Sequence, residues 1–154
     1  MNEGMTVPDV AVTMADGTMP SLASLSRPLV VYFYPKDDTA GCTREALDFS
    51  ALGDAFAAAG VTVVGISKDS PEAHAKFTAK HELSVMLASD VEGAACEAFG
   101  VWVEKSLYGR KYMGIERATF LFDDAGGLVR AWPKVRVAGH ADAVLVAAKA
   151  LSAE

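Results

Sequence analysis

Cysteine is scarce. Cys42 and Cys96 are the two in 154 residues, too few for a secreted disulfide scaffold. They form no C-x-x-C pair, because the third position after Cys42 is Glu45, so paired-thiol redox chemistry of that kind is excluded. Basic runs of five or more are also absent, and the formal net charge is −6 with a pI near 5.0. That balance argues against nucleic acid or an anionic membrane as a partner. No apolar run approaches the ~20 residues that span a bilayer. The N-terminal MNEGMTVPDV has neither a cationic region nor an apolar core, so a secretory signal is not expected. The expected location is the cytoplasm, where thiols stay reduced. His74 and His81 stand seven residues apart, too far for an i, i+4 chelate, and His140 is expected to cap or decorate the last helix. With no ligand-like cluster, neither a metal nor another cofactor is expected. Internal repeats, linkers and low-complexity blocks are missing as well.

What is present is an ordinary globular composition, 51% hydrophobic and 22% charged, in a chain long enough to bury a core. One domain over residues 1–154 is expected. Met5 to Met19 reads as a loop and hairpin around Asp16-Gly17, and Ser21 to Leu25 as one helical turn. Leu29 to Phe33 is a near-continuous apolar strand, as in a sheet covered on both faces. A long helix from Ala40 to about Ala59 places Ala46, Phe49, Leu52 and Phe56 at helical spacing, and Gly60 stops it. Strands follow at Val61 to Ile66 and Val85 to Ala88. Between them a helix opens on Ser70-Pro71 and runs to about His81. Ser89 to Phe99 holds a short helix beginning near Asp90. Val101 to Glu116, polar and glycine-punctuated, reads as a long loop. Arg117 to Phe122 and Leu128 to Trp132 form a hairpin about Asp123-Asp124-Ala125-Gly126-Gly127, and His140 to Leu151 is a terminal helix. This order predicts an α/β domain with a mixed β-sheet flanked by helices. A thioredoxin-like fold accommodates it.

The chemistry is expected where the first long strand feeds the first long helix, since open α/β sheets put reactive groups at the carboxyl ends of their strands. That junction delivers Cys42. With Thr39 as N-cap, its hydroxyl can accept an N–H of the first turn, and Cys42 falls three residues in. There the helix dipole and the unsatisfied N–H groups favour a thiolate. Pro35 fixes the backbone leaving the strand and removes one N–H. The plain alternative is a small buried cysteine in a helix that happens to follow a turn. The adjacent Asp37-Asp38 does not match the D-x-D of phosphatase nucleophiles.

Pro35-x-x-x-Thr39-x-x-Cys42 resembles the P-x-x-x-[TS]-x-x-C signature of the peroxiredoxins. The run YPKDDTAGCTREALDF is similar to their bacterioferritin-comigratory, or Q-type, subfamily. So are VGISKDSPEAHAKF, FGVWVEKSLYGRKYMGIERATFLF and KVRVAGHADAVLVAAKAL, and the likeness covers almost the whole chain. The resemblance implies a thiol peroxidase acting on hydrogen peroxide and alkyl hydroperoxides through a Cys42 sulfenic acid. It implies a reducing partner such as thioredoxin, glutaredoxin or glutathione, and a monomer.

A fixed guanidinium beside the thiol would hold peroxide oxygens with its rigid donors. By resemblance that residue is Arg117, at the head of Arg-Ala-Thr-Phe-Leu-Phe; Arg44 reads better as a solvated helix residue. Thr39 can donate its hydroxyl to the substrate, as can the Cys42 backbone N–H. Glu45 can orient Arg117, with a surface glutamate as the alternative. Tyr34 can line the pocket or simply pack. Q-type relatives often carry a resolving cysteine five residues after the first or in the next helix, where this chain has Leu47 and Thr78. Cys96 is then either a small buried residue in a single-cysteine enzyme, the reading adopted, or an intramolecular resolver that must bring its Cα within about 7 Å of that of Cys42. A redox-sensing or chaperone-like module without efficient turnover is the remaining alternative.

Overall fold

The computed structural model describes residues 5–152. Its centre is a six-stranded mixed sheet in the order β1-β4-β3-β2-β7-β8. These strands are β1 (Thr13–Met14), β2 (Leu29–Phe33), β3 (Thr62–Ser67), β4 (Met86–Ser89), β7 (Ala118–Phe122) and β8 (Leu128–Trp132). β2, β3 and β4 run parallel, joined by crossovers that contain helices, while β1, β7 and β8 pair antiparallel. The expected α/β architecture with a mixed sheet and flanking helices is what the chain adopts. β2 is fully buried because both faces of the sheet are covered.

The two faces carry separate clusters. Leu29, Val31 and Phe33 of β2 point into one, with Val64, Ile66, Phe120, Phe122 and Cys96. Val30, Tyr32 and Tyr34 point into the other, with Leu121, Phe49, Phe56, Phe77, Val144 and Cys42. Strand alternation thus puts the two cysteines on opposite sides of the sheet. The Cys42 face is covered by α1 (Ala40–Ala51), α2 (Gly53–Ala58), α3 (Pro71–His81) and α5 (His140–Ser152), the Cys96 face by α4 (Ala94–Ala98).

Two expectations are corrected. The helix expected from Ala40 to Ala59 breaks at Leu52, whose φ of −96° and ψ of 7° separate α1 from α2. The Ser50 carbonyl there accepts the Ser84 hydroxyl at 3.2 Å, and a Cβ on Gly53 would stand 3.2 Å from that same hydroxyl oxygen. Glycine lets the loop before β4 press against the helix, and the helix yields at that point. Secondly, Val101 to Glu116 is no loop. It is a separate antiparallel hairpin of β5 (Trp102–Leu107) and β6 (Arg110–Ile115). Tyr108 and Gly109 turn it with φ of 51° and 78°, the two positive values of a tight hairpin turn. Most of both strands is exposed, so no apolar alternation marks them. The expected helix on Ser70-Pro71 forms, with Ser70 Oγ accepting the Ala73 N–H at 3.1 Å.

Candidate active site

Register decides what meets Cys42. β2 and β7 pair so that Phe33 lies opposite Ala118. Arg117, one residue ahead of β7, therefore stands beside the point where the chain leaves β2 for α1. Its guanidinium reaches α1 with two nitrogens: Nη2 lies 3.2 Å from Cys42 Sγ, and Nη1 donates to Glu45 Oε1 at 2.6 Å. Cys42 and Glu45 are three apart on one helix face, a spacing the rigid fork spans. Gly41 makes room, since a Cβ there would stand 3.2 Å from Nη2. The spacing of the motif alone did not single out Gly41.

The electrostatics follow from burial. The Glu45 side chain is 1% exposed, and burial pushes its carboxyl up to about 7 against the downward pull of Arg117. Its second oxygen, Oε2, has no hydrogen-bond partner among the described residues. Burial also opposes the charge on Arg117, but Glu45 and then Cys42 outweigh it and hold Arg117 above its ordinary value. Lys105 of β5 is lowered by burial and then by Arg117, and it feels Cys42 as well. His140, expected to decorate α5, is instead buried at its start, with Nε2 2.8 Å from Thr119 Oγ1. Burial and then Arg117 lower it to about 4.

These two shifts oppose each other with pH. Glu45 binds its proton more tightly folded than unfolded, so its contribution is fully present below about 4.5 and lost as pH rises through about 7. His140 binds its proton less tightly folded, so its contribution is present above about 6.5 and lost as pH falls through about 4. Glu45→Gln removes only the first. Its stability relative to the parent should rise by roughly 2 kcal/mol between about pH 5 and about pH 8, read from urea midpoints. A difference that stays flat with pH would show that Glu45 titrates as an ordinary surface carboxylate.

Thr39 occupies the N-cap position with extended backbone, but its side chain makes no cap bond. Its hydroxyl donates to the Lys36 carbonyl at 2.9 Å instead, so the expected side-chain cap is corrected. The first helical bond runs from Thr43 N to Thr39 O, which leaves the Cys42 N–H without an intrahelical acceptor. Pro35 is exposed at the end of β2. Arg44 is exposed and pairs with Asp48 at 3.1 Å, as a solvated helix residue does. Tyr34 is buried, and its hydroxyl is spent on Asp37 Oδ1 at 2.5 Å. The sequence set His74 aside as a metal ligand and Asp37 as a nucleophile, and it did not single out Asp69, yet the ligand-type atoms of the three lie within 4.8 Å of one another, a cluster where none was expected. Hydrogen bonds within the fold engage all three, including both nitrogens of His74.

Cys96 is different in kind. It is fully buried, and its backbone N–H donates to Asp90 Oδ2 at 2.8 Å. Burial and then Asp90 push its thiol far above the ordinary cysteine range, a setting for an inert sulfur.

Residues 4–131 match the family model described as AhpC/TSA. The chain is a peroxiredoxin of that family. It is 50% identical to peroxiredoxin Bcp of Xanthomonas campestris over 143 residues, 92% of this chain and 89% of that protein. It is 42% identical to peroxiredoxin Bcp of Bacillus subtilis over 150 residues, 97% and 96% of the two chains. A solved structure of the Xanthomonas campestris bacterioferritin comigratory protein superposes with a TM-score of 0.88 at 46% identity, covering 97% of this chain and 98% of that one. The fold is thus the thioredoxin-like one, and the peroxiredoxin is a thiol-dependent peroxidase. Among the described residues, no helix is long and apolar enough to cross a membrane.

Proposed function

We propose that this peroxiredoxin reduces hydrogen peroxide and alkyl hydroperoxides through Cys42 alone, as one domain. The observation that carries the reading is the Arg117 fork, with one arm on Cys42 Sγ and the other on Glu45. The thiolate forms an S–O bond to the terminal peroxide oxygen. The O–O electron pair leaves on the other oxygen, which takes a proton from solvent to become alcohol or water. Arg117 and the Cys42 N–H hold the oxygens and meet the developing charge. With its hydrogen on Lys36 O, Thr39 Oγ1 accepts a hydrogen bond from the terminal peroxide O–H, whose proton stays on that oxygen as the sulfenic acid forms. Pro35 fixes the chain leaving β2, and Glu45 keeps Arg117 aimed.

The Cys42 sulfenic acid then condenses with an external thiol, releasing water and forming a mixed disulfide. A second thiol frees Cys42 and leaves as the disulfide. Thioredoxin, glutaredoxin and glutathione all supply such a thiol. Cys96 does not resolve the intermediate, because a six-stranded sheet lies between it and Cys42 and burial keeps its thiol neutral. Alkyl peroxide reduction is named for the Xanthomonas campestris structure, and the reading extends it to this chain. The enzyme acts as a cytoplasmic monomer, with no nucleic acid or membrane partner.

The test is turnover. Cys96→Ser should consume peroxide within about twofold of the parent with any of the three thiol donors. Non-reducing mass spectrometry after one peroxide equivalent should show no intramolecular disulfide. A Cys42–Cys96 bond would return Cys96 to resolving duty. Fast oxidation with no recycling by any donor would favour a redox-sensing or chaperone-like module instead.

A further inference from the structure

We infer that Tyr34, Asp37 and His74 form a positioning unit that holds the first turn of α1, and with it Cys42, against Arg117. The inference rests on Cys42 being the reacting thiol. Among the described residues, no hydrogen bond joins any of the three to the sulfur, whose partner is Arg117. Their role is to fix the loop that carries it.

The loop between β2 and α1 turns through Asp38, a non-glycine residue at φ 62°. Such backbone costs of order 1 kcal/mol and persists only where its surroundings hold it. The Asp38 carboxylate accepts from Lys80 at 2.6 Å and lies 2.9 Å from His81 Nε2, but these groups are solvent-exposed or partly so, and such pairs contribute little. The firm hold is Asp37. Its backbone N–H donates to Asp69 Oδ2 at 2.8 Å, and that oxygen is itself fixed by the Ser67 hydroxyl at 2.6 Å. Its Oδ1 accepts the Tyr34 hydroxyl, whose proton burial keeps in place. Its Oδ2 lies 2.6 Å from His74 Nδ1. The opposite ring nitrogen faces the Ala88 carbonyl at 3.0 Å, and a carbonyl only accepts, so Nε2 carries a hydrogen.

The Asp37 carboxylate therefore ties the loop to the end of β2, to α3 and through His74 to β4, while its backbone N–H ties the loop through Asp69 to the chain after β3. His74 is fully buried, and both of its nitrogens are used. A satisfied buried network of this kind rigidifies what it joins, whereas a partly satisfied one does not. Five residues on, the helix presents Cys42 to a guanidinium 3.2 Å away. Displacement of about 1 Å in such a site costs up to about a hundredfold in rate. A chain with no sulfur at Leu47 or Thr78 has no internal disulfide there for which this turn must unwind.

The test compares two reactions of Cys42 in a Cys96→Ser background: single-turnover oxidation by hydrogen peroxide and modification by a bulky aromatic disulfide. In Asp37→Asn and His74→Leu, the peroxide rate should fall about tenfold while the bulky-reagent rate rises about tenfold, as the turn loosens. Tyr34→Phe, which deletes one oxygen, should move both rates in the same senses by about threefold, and it decides the matter if the other variants do not fold. A merely structural role lowers the melting temperature without splitting the two rates. Rates within about twofold of the parent in folded variants, or rates that move together, overturn the inference. If the parent itself ignores peroxide, the proposed function fails, and the bulky-reagent rate still reads the positioning.

Discussion

Replacing Cys42 by serine abolishes peroxide reduction, with a loss of at least about a thousandfold. The substitution changes one atom in a side chain that is 2% exposed, so the fold and the approach of Arg117 are retained. What is lost is the nucleophile of the proposed reaction. A serine hydroxyl is not ionised at neutral pH, and among the described residues the group hydrogen-bonded at this position is Arg117, a donor and not a base. It also has no oxidation state corresponding to a sulfenic acid. Peroxide consumption with glutathione or thioredoxin should drop to the rate of the donor thiol alone. Activity that persists in Cys42→Ser would place the chemistry elsewhere in the chain.

Arg117→Lys slows oxidation of Cys42 by about a hundredfold, although the charge is kept. An ammonium is a single point of attachment and cannot hold Sγ and Glu45 Oε1 together, as Nη2 and Nη1 do. The rate constant comes from single-turnover oxidation at several peroxide concentrations. Arg117→Met goes further, because it also strands Glu45. Removing one partner of a buried pair costs about 3 kcal/mol when the survivor stays charged. Glu45, raised to about 7, escapes most of this by taking a proton as pH falls. Arg117→Met should therefore be least stable, relative to the parent, above about pH 7. Adding Glu45→Gln should restore stability there without restoring rate. Recovery of both together would mean that Arg117 serves the fold and not the reaction.

Much of this site was legible because its signals are local. Pro35, Thr39 and Cys42 lie within one turn-to-helix stretch, and the bounds of β2 were read correctly from its apolar run and those of β8 from the hairpin turn before it. Ser70-Pro71 announced α3 for the same reason. Arg117 needed the family likeness, since 75 residues separate it from Cys42 and only the β2–β7 register brings them together. The partners of Tyr34 were out of reach. Asp37 and His74 are 37 residues apart, and nothing local shows that α3 turns His74 toward the loop. The break at Leu52 depends on Ser84, and the β5–β6 hairpin has too little buried surface to leave a periodic trace. The isolation of Cys96 is also tertiary, because the face on which α4 lands depends on the path of the whole chain.

The most direct measurement is the mass of the Cys42 peptide after one equivalent of hydrogen peroxide in the presence of a sulfenic-acid trap. The trap adduct is expected on Cys42 alone, with Cys96 still a free thiol. An unmodified Cys42, or oxygen arriving first at Cys96, would contradict it.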